Sequence, residues 1–349
     1  MRIFVERALL CVLSVASISF LVGLSIFTSK LFIVATRANQ SATIAAELEE
    51  KIAALPEKPP KAVLLFVGDI MLSRSVGIKV RNKGEGDYRY PFLEVADALN
   101  SADMVFGNLE SPISARGRNR GSIYSFRADP LSIEGLSYAG FDVLSLANNH
   151  IWDWGVDALR DTISILVSEN ILSVGAGANY EEANSPALFE VNGASIAVLA
   201  YTNLLPKSMQ ASEESPGLSD FDLDKVKESI NTLSSQGYLV VVSLHWGDEY
   251  QTVANGGQEE IARGLIDAGA DLIVGHHPHV VQQLEKYREG WVAYSLGNFV
   301  FDQFFSEETM RGAVLRVDLE KGNIVDVTLL PTQLSPDYQV SFVEPITSL

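Results

Sequence analysis

The stretch that most constrains this chain is Asp271–Val280, DLIVGHHPHV, where an apolar run stops in three closely spaced histidines out of five in the whole sequence. A short apolar run bounded by glycine reads as a buried strand that delivers side chains to its carboxyl end. Read as an extended segment, His277 and His279 alternate and face one side, as two nitrogens aimed at a shared metal or phosphate require. Pro278 withholds an amide there and stiffens the bend. A histidine-rich turn with no task is the plain alternative. The two remaining histidines weigh against it, because His150 closes FDVLSLANNH and His245 closes YLVVVSLH. Every histidine therefore sits where an apolar strand ends, and in open α/β sheets ligands bind at those carboxyl ends.

The chain has 349 residues, 47% of them hydrophobic, which is ample for a real core. Its formal charge of -18 argues against nucleic acid as a partner, since such binding needs clustered Lys and Arg. An anionic substrate would need metal ions to offset that field. Ala8 to Phe27 carries no charge, and with Leu31–Ala35 the apolar segment is long enough to cross a bilayer. Residues 1–38 are thus read as a short cytoplasmic tail and a single membrane anchor, with the bulk of the chain extracytoplasmic. A cleaved signal peptide is the competing reading, although the apolar stretch is long for one and lacks a clear cleavage site. Residues 39–61 turn polar and then proline-rich, as a stalk would, and 62–349 form the globular part. The single cysteine, Cys11, lies in the apolar segment, so the folded part holds neither a disulfide nor a thiolate metal site.

Along the globular part, polar residues repeatedly follow apolar runs. AVLLFV leads to Asp69, whose ordinary role would be to cap the next helix. DMVFG leads to Asn108 and Glu110. After a helical stretch from Pro130 to Ala139, FDVLSLA leads to Asn148, Asn149 and His150, with Asp153 expected to cap the following helix. A hairpin is expected at Asn192-Gly193, the favoured type I′ pair. Residues 203–220 read as an exposed insertion, and a helix from Leu223 to Ser235 precedes the strand that delivers His245, Trp246, Asp248 and Glu249. Trp246 reads first as packing and second as a substrate platform. A last hairpin turns at Lys321–Asn323. Strands alternate with helices and then end in antiparallel pairs, which predicts a layered α/β sandwich.

Collected, the strand-end residues are Asp69, Asn108, Glu110, Asn149, His150, His245, His277 and His279, with His276 in reserve. Carboxylate, amide and imidazole without thiolate suit manganese, iron or zinc. This set is larger than one ion needs. Two metals about 3.5 to 4 Å apart would activate a water and clamp a phosphoryl oxygen, while His245 or a spare imidazole protonates the leaving group. Asn149 and His150 are further candidates for the catalytic set. Asn108, Trp246, Glu249 and Asn298 are read as substrate contacts.

These blocks carry a resemblance. GDIM, GNLESPI, LANNHIWDWG, SLHWGDEY, GHHPHVVQ and YSLGNFVFDQ, in this order from about Val63 to Asp302, resemble the CapA (also called PgsA) capsule synthesis family, associated with poly-γ-glutamate production in bacteria. The resemblance implies a fold of the calcineurin-like metallophosphoesterase type and a membrane-anchored, surface-facing protein. Of the wider metallophosphoesterase pattern, it implies a ligand role for Asp69, for Glu110 in place of the usual bridging aspartate, for Asn149 and His150, for His245, and for His277 with His279. Met71 stands where that pattern has a histidine, which weakens one metal position and leaves one or two ions as alternatives. The expected function is synthesis or export of an anionic surface polymer, alongside other polymer-synthase subunits, with a hydrolase-like site for polymer or phosphoester. A non-catalytic assembly subunit and a secreted metal-dependent phosphoesterase are the alternatives.

Overall fold

The structure, a computed structural model, describes residues 61–344. The expected anchor at 1–38 and the stalk up to residue 60 lie outside the described residues, and Lys61 already belongs to the first strand. Among the described residues no helix is long and apolar enough to cross a membrane.

The strands are β1 (Lys61–Ile70), β2 (Met104–Leu109), β3 (Val143–Ser145), β4 (Leu172–Val174), β5 (Ala176–Gly177), β6 (Ala187–Val191), β7 (Ala194–Thr202), β8 (Gly217–Leu218), β9 (Leu239–His245), β10 (Leu272–His276), β11 (Leu284–Tyr287), β12 (Gly290–Ala293), β13 (Asn298–Val300), β14 (Arg311–Glu320), β15 (Asn323–Leu334) and β16 (Val340–Phe342). They form one sheet in the order β16-β15-β14-β1-β2-β3-β4, with β13 also on β1, and a second in the order β11-β12-β10-β9-β7-β6. The four main helices are α1 (Arg74–Asn82), α2 (Val156–Ser168), α3 (Leu223–Ser235) and α4 (Gly256–Asp267).

Alternation along the strands builds the layers. In β1, Leu64 and Phe66 point into the core between the sheets, beside Phe106, Val198, Val241 and Val274, whereas Leu65 and Val67 point to the outer face with Phe92, Leu136 and Leu159. In β9, Val240 and Val242 face a third core, under α3 and α4, with Ile230, Ala262 and Leu265. Strands buried on both faces read as unbroken apolar runs, which is what the sequence has there. Helix α3 meets its sheet through Val226, Ile230 and Leu233, one stripe at helical spacing, and begins at Asp222, which accepts from the Asp224 and Lys225 amides. Truncating Ile230 to Ala would cost about 2–5 kcal/mol by the cavity it leaves. The Asn255–Gln258 capping box starts α4.

The expected layered α/β sandwich is therefore present, and so are both hairpins: Asn192 and Gly193 take φ of 47° and 80°, and Lys321 and Gly322 take 54° and 78°. Residues 203–220 are less exposed than expected, because Leu218 pairs β8 to β5 and is buried together with Ala211. Asp153 caps nothing: the N-cap of α2 is Gly155, with φ 74° and no side-chain cap, and the Asp153 carboxylate turns back toward His150. Nor does Asp69 cap α1, whose Ser75 amide is taken by Asp302 at 3.2 Å.

Candidate metal centre

Both sheets present carboxyl ends at the same edge of the sandwich. In the larger sheet the register sets Asp69 level with both Asn108 and Asn298, and Asn108 level with Ser145, after which the chain runs on to Asn148, Asn149 and His150. In the smaller sheet His245 is level with His276. Backbone must pass close for these ends to meet. A Cβ on Gly68 would lie 2.0 Å from the Gly297 carbonyl oxygen, and one on Gly275 would lie 1.9 Å from that of Tyr294.

Asp69 is the hub, wholly buried. Its Oδ1 accepts from Asn108 Nδ2 at 2.9 Å and lies 3.3 Å from His276 Nδ1. Its Oδ2 lies 3.2 Å from His279 Nδ1 and accepts the His277 amide at 3.2 Å. Burial works to raise its pKa, but the His276 and His279 imidazoles beside it prevail and hold it well below the ordinary carboxylate range. Glu110, equally buried, goes the other way: burial, then the neighbouring Asp69 charge, push it well above the ordinary range. Burial and proximity thus set the two carboxylates apart, with Asp69 favouring the charged form and Glu110 the neutral one.

Asn108 Nδ2 also reaches Glu110 Oε1 at 3.1 Å and His245 Nδ1 at 3.2 Å, while its Oδ1 accepts from Asn148 at 3.2 Å. His245 is enclosed, with Nε2 on Asn149 Oδ1 at 2.9 Å, and burial keeps it neutral. His279 Nδ1 meets Asn298 Oδ1 at 3.0 Å. Burial, then the nearby His279, lower His277 to about 4. His150 Nδ1 pairs with Asp153 Oδ2 at 2.9 Å, and its ring lies 4.0 Å from that of Phe126.

The expected site residues converge, with corrections. His277 and His279 do not face one side by strand alternation: β10 stops at His276, and both residues adopt left-handed backbone, φ 96° and 59°. Two such turns, with Pro278 between them, bring the rings to 5.9 Å between centroids. Trp246 is no substrate contact. Its ring is buried against Tyr294 and its Nε1 donates to the Tyr294 carbonyl at 3.0 Å. Asn108 and Asn298 are fully buried and hydrogen-bonded to acids and histidines, so they orient the site rather than meet a substrate. Met71 is wholly buried too, and its sulfur accepts from Ser73 N and Oγ at 3.2 and 3.1 Å.

A cavity of about 180 Å³ opens beside these groups, reached by His150, Glu249 and His279 and walled by Arg74, Tyr124, Phe126, Tyr250 and Asp302. These walls come from connecting loops and the first residue of α1, where no periodicity marks a site.

The donor set fits a divalent cation. Asp69, Glu110 and His279 bring ligand atoms within 4.8 Å of one another, as do Glu249, His277 and His279. Glu110 Oε2, both ring nitrogens of His276 and His277 Nδ1 are buried without a hydrogen-bond partner, which is costly unless something else satisfies them.

The family model described as bacterial capsule synthesis protein PGA_cap matches residues 63–303. The chain belongs to the PGA_cap family. Among PGA_cap relatives, the capsule biosynthesis protein CapA of Bacillus anthracis is 34% identical over 296 residues, covering 82% of this chain and 70% of CapA. The PGA biosynthesis protein CapA of Bacillus subtilis is 36% identical over 259 residues, covering 73% and 67%. A solved phosphatase from Mycoplasma pneumoniae superposes with a TM-score of 0.50 at 14% identity, covering 78% of this chain and 94% of that one. The PGA_cap chain therefore shares its fold with a phosphatase, as the metallophosphoesterase resemblance implied.

Proposed function

We propose that this chain acts in the synthesis or export of an anionic capsule polymer of the poly-γ-glutamate kind, through a metal-dependent hydrolytic site and from a membrane-anchored position. The observation that carries the reading is the set of orphaned donors on Glu110, His276 and His277 around Asp69 and His279. Asp69, Glu110, Asn149, His245, His277 and His279 are the residues that would hold metal, with His150 kept for proton transfer, and carboxylate with imidazole favours manganese, iron or zinc. When bound, the metal would supply Lewis acidity toward a water and charge against a developing oxyanion.

The chain's own groups supply the rest. Glu110, which burial and Asp69 push toward its neutral form, would hold a cation as the carboxylate. His245, neutral and clamped between Asn108 and Asn149, keeps its ring fixed and does not serve as the acid. His150 takes that role instead: Asp153 fixes Nδ1, which leaves Nε2 to pass a proton to the leaving group. Phe126, buried at the cavity wall, screens that side from water.

Metal analysis of the purified chain, followed by a screen of phosphoesters and poly-γ-glutamate for hydrolysis, tests this directly. A folded, metal-loaded chain that cleaves none of them, but whose His279→Ala variant still supports polymer production in cells, would shift the reading to a non-catalytic assembly subunit. Met71, standing where the superfamily pattern has a histidine, favours that second reading. Anchoring is tested separately. Residues 1–38 should keep the chain in the membrane fraction, and recovery of a soluble chain lacking them would favour a secreted enzyme.

A further inference from the structure

Arg74 is an unusual residue in an unusual place. It has left-handed backbone, φ 50°, at the first position of α1, a conformation that costs a residue with a side chain on the order of 1–3 kcal/mol. Its Nε lies 3.3 Å from Asp302 Oδ2, and the Asp302 side chain is 1% exposed while that of Arg74 is 40% exposed. Its guanidinium stands 5.4 Å from the centroid of Phe126 and 5.7 Å from that of Tyr124. The group is thus held on one edge by a buried acid and steadied by two rings. Among the described residues its Nη1 and Nη2 have no hydrogen-bond partner, and the residue lines the same cavity as His150 and His279.

The segment that supplies two of the cavity walls, Tyr124 and Phe126, is also basic. Between Glu110 and Asp129 the chain carries Arg116, Arg118, Arg120 and Arg127 and no acid, within a sequence whose charge is -18. Arg116 is paired with Asp161, and Arg127 lies over the Trp154 ring at 3.6 Å. Arg118 and Arg120 have no side-chain hydrogen bond or ion pair among the described residues. Glu249 and Asp302 are the acids on the cavity wall. Asp302 is committed to Arg74 and the Ser75 amide, and Glu249 belongs to one of the candidate metal groups.

We propose that Arg74 seats an oxyanion of the substrate in this cavity, a carboxylate or phosphate gripped by its free Nη1 and Nη2, and so determines which substrates enter. This rests on the reading of the cavity as the reaction site, but anion binding can be measured without metal or turnover. A planar fork with two free donors matches either oxyanion, and a lysine there would lose the two-point grip. The arginines of the loop from Ser111 to Ala128 would then pair with further acidic groups of the substrate if the anion belongs to a polymer.

The test is calorimetric titration of the purified chain with inorganic phosphate and with short γ-linked glutamate oligomers, for the wild type, Arg74→Gln, Arg74→Lys and the double variant Arg118→Gln/Arg120→Gln. Each protein is measured metal-loaded and after chelation, with metal content determined beside it. Arg74→Gln should bind the preferred probe about 10-fold or more weakly while retaining the wild-type metal content, with Arg74→Lys between. A weaker oligomer affinity in the Arg118/Arg120 variant, with phosphate unchanged, assigns the oxyanion to a polymer. No change with either probe assigns it to free phosphate or its monoesters. Equal affinities for wild type and Arg74→Gln, or no binding of either probe by the wild type, would overturn the assignment of Arg74. A wild type without metal removes the hydrolytic reading, yet the chelated titrations still decide Arg74.

Discussion

Asp69 Oδ2 and His279 Nδ1 lie 3.2 Å apart, the carboxylate from the larger sheet and the imidazole from the loop that leaves the smaller one. This contact joins the two sheets at the point where their strands end. The same nitrogen is 3.0 Å from Asn298 Oδ1, which fixes the ring. Removing that acceptor with Asn298→Leu should weaken metal binding about 10- to 100-fold, as loss of a ligand-orienting partner does. It should also cost roughly 1–3 kcal/mol of stability, because the Thr309 carbonyl loses its donor. Competitive chelator titration and thermal melts read the two effects separately.

Asp153 holds His150 at 2.9 Å and also accepts the Phe126 amide at 2.8 Å. Asp153→Asn keeps the shape and an acceptor oxygen but removes the carboxylate that fixes His150 Nδ1. On the phosphoester hydrolysed fastest, kcat should fall about 10- to 100-fold with KM little changed. Unchanged kcat in the folded variant would mean that Asp153 serves only Phe126.

Glu110 is held well above the ordinary carboxylate range, by burial and by Asp69, so its proton is held more tightly than usual in the metal-free chain. A cation and that proton compete for the same oxygens. Metal uptake should therefore release protons over the range where the carboxyl is protonated, and apparent affinity should rise with pH. Titrations in buffers of different ionisation enthalpy measure the count, and Glu110→Gln should release fewer protons while binding metal more weakly.

The lowered His277 gives a stability prediction for the chelated chain. Its pKa is about 4 in the fold, against an ordinary value of 6.5. Between those values the unfolded chain holds a proton that the folded chain does not. Its contribution is thus fully present above about pH 6.5 and is lost as pH falls toward 4. Melting temperature in chelator should drop over that window, and His277→Asn should flatten the drop. Identical slopes for the two proteins would contradict the assignment.

Much of the centre was legible because parallel strands buried on both faces leave unbroken apolar runs, and whatever polar residue follows such a run lies at a strand end. That rule places Asp69, Glu110, His150, His245 and His279 together without any contact information. It fails where position depends on backbone that only tertiary packing dictates. The left-handed turns at His277 and His279 replace the alternation that spacing suggested, although the ligands still meet. Asp153 has the spacing of a helix cap, but Gly155 is the N-cap and frees the carboxylate for His150. Asn108 and Asn298 follow strands as a substrate contact would, and only burial reveals that they orient other groups. Arg74 and Asp302 come together across 228 positions of sequence through a short loop and a helix start, neither of which has a periodic signal.

The most direct test of the metal centre is metal analysis of the purified chain beside Asp69→Asn and His279→Ala, with folding checked by circular dichroism. The expected result is about one or two manganese, iron or zinc ions per wild-type chain, lost in both folded variants. A well-folded wild type that takes up no transition metal, even when it is supplied in excess, would contradict the account.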